Sequence, residues 1–123
     1  MLHKSLTIAA VLLVAISTAF AHAPKVGANG GPQTDAGSFH VEVVPKGTIL
    51  QVYLRDHSDK AVQSDGFKGT AIFVVDGKPL RINLSPSGEN KLTGESSVEL
   101  PNEPKGALQI TTPTGSTVQA KFN

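Results

Sequence analysis

From residue 38 onward, apolar and polar side chains alternate with a period of two. Phe39, Val41 and Val43 alternate with His40, Glu42 and Val44, and Leu50, Val52 and Leu54 with Gln51, Tyr53 and Arg55. A period of two sends each set to one face of a β-strand. Pro45-Lys46-Gly47 between the two runs supplies a turn, so the pair reads as a hairpin with one apolar face. Residues 56–69, rich in Asp, Ser, Gly and Lys, read as a long connection. Thr70 to Val75 and Leu80 to Leu84 form a second hairpin about Asp76-Gly77, a pair suited to the two positive-φ positions of a type I′ turn. Leu92 to Leu100, Ala107 to Thr112 and Val118 to Phe122 follow, separated by Gly- and Pro-containing turns. No stretch has helical periodicity.

The pattern predicts an all-β fold: a single antiparallel Greek-key β-sandwich of about seven strands, immunoglobulin-like or cupredoxin-like, with a small closed barrel as the competing architecture. The expected core is Phe39, Val41, Val43, Leu50, Val52, Leu54, Ile72, Val74, Ile82, Leu84, Leu108, Ile110, Val118 and Phe122. Residues 22–37, with Pro24, Gly27, Asn29-Gly30-Gly31, Pro32 and Gly37, read as an extended Gly/Pro-rich arm ahead of the domain at 38–123.

The N-terminus changes the picture. Lys4, the apolar run Leu6 to Ile16, and Ser17-Thr18-Ala19-Phe20-Ala21 are the three parts of a cleaved signal peptide over residues 1–21. The apolar run is shorter than the ~20 residues a membrane span needs. Cleavage after Ala21 makes the protein periplasmic or secreted, with His22 first. It removes one of 11 basic residues, Lys4, and none of the 10 acidic ones, so the remainder is formally neutral. A neutral chain gives no reason to expect nucleic acid or an anionic membrane as partner. With no Cys, thiolate metal sites, Cys nucleophiles and disulfides are all excluded.

The chemistry that remains is imidazole and carboxylate. The processed chain holds three histidines, His22, His40 and His57, all near its start. A first-residue His offers its α-amine and ring to one ion. With a second His it makes the nitrogen-rich set that suits Cu(II). His40 and Glu42 share the polar face of one strand. A hairpin about Lys46 sets His40 opposite roughly Val52 to Arg55, which leaves His57 at least two residues farther, about 7 Å or more along the strand. The candidate ligands for a copper or zinc ion are therefore His22, His40 and His57, with Glu42 or Asp56 supplying oxygen. Each also has an ordinary reading: Glu42 as a pair for Arg55 on an outer face, Asp56 as an Asx-turn former. No Gly-x-Ser-x-Gly elbow, H-E-x-x-H or phosphate loop is present, so no enzymatic activity is expected.

Several short motifs point the same way: His22; Asn29-Gly30-Gly31; Ala36-Gly37 leading into His40-Val41-Glu42-Val43-Val44; Val52-Tyr53-Leu54 before Asp56-His57; Gly88-Glu89-Asn90-Lys91-Leu92-Thr93-Gly94; and Val118-Gln119-Ala120-Lys121-Phe122. In these, residues 22–123 resemble small periplasmic proteins associated with heavy-metal (RND-type) efflux systems, and the N-terminal module of some metal-efflux adaptor proteins. In that family the His leads almost directly into Asn-Gly-Gly, whereas here Ala23 to Ala28 intervene. A looser similarity, in the leading His and domain size, is to periplasmic copper carriers of the CopC type. The resemblance implies a metal-handling accessory protein whose partners are a metal ion and an efflux adaptor or other envelope protein. The alternative is a metal-free β-domain that docks onto an envelope complex through its sheet edges. An oxidative copper enzyme is the third reading.

Overall fold

The computed structural model describes residues 25–123. Residues 1–21, expected to be a signal peptide, and His22 lie outside the described residues. The alternating runs form strands where the period demands them: β3 Phe39–Lys46, β4 Ile49–Asp56, β5 Lys68–Val75, β6 Lys78–Pro86, β7 Lys91–Glu95, β8 Lys105–Thr111 and β9 Thr117–Phe122. The segment expected to be an arm contributes two more, β1 Lys25–Val26 and β2 Pro32–Ala36. Polar Gln33, Thr34 and Asp35 carry no apolar alternation to announce a strand. They are ordered by pairing with β3, Gln33 opposite Glu42 and Asp35 opposite His40.

The strands form one continuous antiparallel sheet in the order β1-β2-β3-β4-β7-β6-β5-β8-β9. β5, β6 and β7 follow one another along the chain, and β8 returns beside β5, which is Greek-key order. The sheet curls at β6. Its first part pairs with β5, from Lys78 opposite Val75 to Leu84 opposite Gly69, and its last two residues pair with β7. A cleft of about 190 Å³ marks where the two ends of the curled sheet approach, Val26, Gly30 and Pro32 on one side and Pro104, Lys105 and Phe122 on the other. The Asp76-Gly77 turn has the expected positive φ at both positions, 52° and 75°.

Inside the curl, Val41, Val43, Leu50, Val52, Leu54 and Leu92 meet Ala71, Phe73, Ile82, Leu84, Leu108, Ile110 and Phe122 in a single buried cluster. Phe73 stands edge-on to Phe122, and Phe39 edge-on to Phe67. Of the expected core residues, Phe39 and Val118 are partly buried and pack against this cluster, while two lie outside it: Ile72 is 46% exposed and Val74 55%. Thr70 to Val75 is apolar almost throughout, so its period is ambiguous. The strand turns Ala71 and Phe73 inward instead, which gives the core the larger ring of Phe73, packed against Phe122, rather than Ile72 and Val74. The strand expected to run from Leu92 to Leu100 ends at Glu95. Leu100 is still buried, its amide held by the Gly47 carbonyl.

Candidate functional site

Glu42 lies on the face of β3 away from the core, yet it is only 1% exposed. The turn before β2 folds over it. The Asn29 amide donates to both carboxylate oxygens (2.9 and 3.2 Å), the Asn29 Nδ2 to Oε1 (3.0 Å), and the Gly31 amide to Oε2 (2.8 Å). Gly27 closes the cradle: a Cβ there would collide with the Glu42 carboxyl carbon. The solvent-facing Glu42 expected from strand parity is thus a buried clamp whose oxygens are engaged by the turn. Its cross-strand neighbour is Tyr53, while Arg55 faces His40.

Asp56 ends β4, paired with Phe39. Its Oδ1 accepts from the amides of Ser58 (2.9 Å) and Lys60 (3.0 Å), an Asx-type arrangement. The Lys60 amide holds its carboxyl below the ordinary carboxylate range. The Ser58 amide and the charges of His57 and Lys60 act in the same direction, against a partly opposing effect of burial. The backbone reverses here, Asp56 bonding to the Lys60 carbonyl and Asp59 to that of Asp56. Asp59 takes a left-handed φ of 62°. His57 sits exposed at the start of this turn.

The reversal carries Asp59 back onto His40. Asp59 Oδ1 lies 2.7 Å from His40 Nδ1, and Asp35 Oδ1 lies 3.3 Å from Nε2 on the opposite side of the ring. The imidazole is 22% exposed, Asp35 74% and Asp59 66%. His40 stands opposite Arg55, so His57, just past the end of β4, is two residues beyond that point along the chain, at the near end of the expected range. Among the described residues no three His, Asp or Glu side chains converge on a single point. The two aspartates flank the ring on different nitrogens.

Asp35 and Asp59 were not legible as site residues. Asp35 reaches His40 through the tight β2–β3 hairpin, for which Gly37-Ser38 was the available signal. Asp59 reaches it only through the 56–60 reversal, which no spacing rule announces. The cleft at the seam contains no histidine and is separate from this cluster. Comparison with known proteins finds no matching family model, no matching curated protein and no matching solved structure.

Proposed function

We propose that this chain is an exported, periplasmic or secreted, metal-handling accessory protein, carrying Cu(II) first and Zn(II) second, without catalysis. The curled Greek-key sheet is its rigid scaffold, its two halves facing each other as sandwich layers do. The observation that supports this reading is His40 between two carboxylates. A carboxylate on one ring nitrogen fixes the tautomer and makes the other nitrogen the better ligand. Asp59 at Nδ1 does this, leaving Nε2 as the donor atom. Asp35 stands on that donor side. Two ligands each ~2.0 Å from one tetrahedral ion are ~3.3 Å apart, and Asp35 Oδ1 is 3.3 Å from Nε2.

β1 bears on the third ligand. Lys25 pairs with Gln33 and Val26 with Pro32, so the N-terminal end of β1 points along β2 toward Asp35. His22 is three residues before Lys25, up to about 10 Å of extended chain. That covers the two-residue step from Gln33 to Asp35. In this reading the ion is held by His22, His40 and Asp35, oriented by Asp59, with His57 beside the site. Glu42 and Asp56 build the scaffold instead of ligating. An efflux adaptor or other envelope protein is the destination of the ion.

The test is Cu(II) and Zn(II) titration of protein beginning at His22, read by calorimetry and, for copper, by electron paramagnetic resonance. One site is expected, lost in His40→Ala and weakened about 10–100-fold in Asp59→Asn, as removal of an orienting partner does. One residue added before His22 weakens copper more than zinc, because it removes the amine–imidazole chelate. Unchanged affinity in His40→Ala overturns the reading.

A further inference from the structure

The far half of the sheet carries a face that the metal reading does not use. Because Ala71 and Phe73 point inward, Lys68, Ile72 and Val74 point outward on β5, a strand flanked on both sides. Ile72 lies between Arg81 of β6 and Ala107 of β8, and Val74 between Pro79 and Lys105. Lys121 of β9 lies beyond Ala107. Every charged side chain at an outward position of β5, β6, β8 and β9 is basic: Lys68, Arg81, Lys105 and Lys121. Among the described residues none of the four forms an ion pair, since both such contacts belong to His40. Four cations without an acid on one face, in a chain whose processed form is formally neutral, is a segregation of charge. It surrounds two half-exposed β-branched side chains at the centre.

We infer that this face docks an acidic protein surface with an apolar centre. An apolar middle ringed by polar groups is the layout of a protein interface, and the ring's single sign selects the opposite sign and suppresses other partners. The face presents no outward aromatic side chain on which a base could stack. Ile72 and Val74 lie flat in a sheet, whereas insertion into a membrane interface uses protruding Trp, Phe or Leu. The inference stands independently of metal binding, which uses the opposite end of the sheet.

The experiment is an amide chemical-shift titration of the isotope-labelled processed protein with a synthetic peptide alternating Glu and Leu. Its controls are polyglutamate, the same peptide with Lys for Glu, phosphatidylglycerol vesicles, a single-stranded oligonucleotide, and the protein alone at rising concentration. The Glu–Leu peptide is expected to shift amides of β5, β6, β8 and β9, more weakly as salt rises. Arg81→Glu/Lys105→Glu is expected to weaken it at least about tenfold, and Val74→Ser also to weaken it, both variants keeping the parent circular dichroism spectrum. The inference is overturned if the peptide shifts no amides or shifts them on other faces, or if polyglutamate binds equally well. It is also overturned if vesicles or oligonucleotide bind this face more tightly, or if the face is consumed by self-association. If either variant loses its fold, Lys121→Glu and Ile72→Thr decide the same question.

Discussion

A buried carboxylate is the most demanding residue in this molecule. Taking Glu42 out of water is costly unless its lone pairs are met, and the Asn29 and Gly31 donors meet them. Glu42→Ala is expected to cost about 1–3 kcal/mol in urea unfolding, because buried amides lose their acceptor. Hydrogen exchange at Asn29 and Gly31 should accelerate in the same variant. If exchange at those two amides is unchanged, the clamp is not what orders the turn. Asp56 gives a second residue-scale prediction. Its carboxyl is held below its ordinary range in the folded chain, first by the Lys60 amide. A lowered folded-state value means the stabilisation is fully present above the ordinary carboxylate range and is lost as pH falls through the folded value. Titration of Asp56 followed by carboxyl carbon shifts should therefore show a midpoint below that of an unstructured peptide. In Asp56→Asn the acid-side loss of order in the 56–60 turn should disappear. Ser64 Oγ is buried without a protein partner among the described residues, so Ser64→Ala is expected to be neutral or stabilising in the same urea assay.

At the scale of the element, β5 is the informative case. Its run Ala71-Ile72-Phe73-Val74-Val75 has apolar residues in both registers, and a one-residue change of parity exchanges the faces. The structure resolves the ambiguity with Phe73 buried and Ile72 and Val74 exposed. Phe73→Ala should lower stability by about 3–5 kcal/mol through lost burial plus a cavity. Ile72→Ala should cost less than about 1 kcal/mol, the scale of strand propensity at an exposed site. Chemical denaturation of the two variants separates them cleanly, and the reverse order would mean that β5 sits in the other register. β2 is the converse case. Its residues have little claim on a strand by themselves, and pairing with β3 confers the structure.

At the scale of the whole molecule, the buried side chains of both halves belong to one cluster. A continuous core predicts a single cooperative transition. Tyr53, the only tyrosine in a chain without tryptophan, sits on β4 in one half, while far-UV circular dichroism reports all strands. The fluorescence and dichroism midpoints are expected to coincide in urea. Separate midpoints would show that β5, β6, β8 and β9 unfold independently of the rest. The same layout holds the His40 cluster at one end of the sheet and the cationic face at the other, so substitutions at one should leave the other's amide shifts in place.

The sequence alone determined the β class, the hairpin that sets His40 opposite the Val52 to Arg55 stretch, the type I′ turn at Asp76-Gly77 and most of the core. Period-two alternation and turn chemistry are local, and local rules reach neighbours along the chain. It also singled out His40 and His57 as the chemistry worth following. Only the tertiary structure decided the rest. Glu42 became a clamp because a turn 11 to 13 residues earlier folds over it, and strand parity cannot say whether an outward face will be covered. Asp35 and Asp59 joined His40 through two backbone reversals, one of them held by side-chain acceptance at Asp56. Among the described residues nine strands formed where alternation marks about seven, because β2 takes its order from the edge of β3 and β1 from β2. Where the apolar pattern was continuous, in β5, the choice of face depended on which side chain best fills a core assembled from residues far apart in the chain. No period along the sequence encodes that volume.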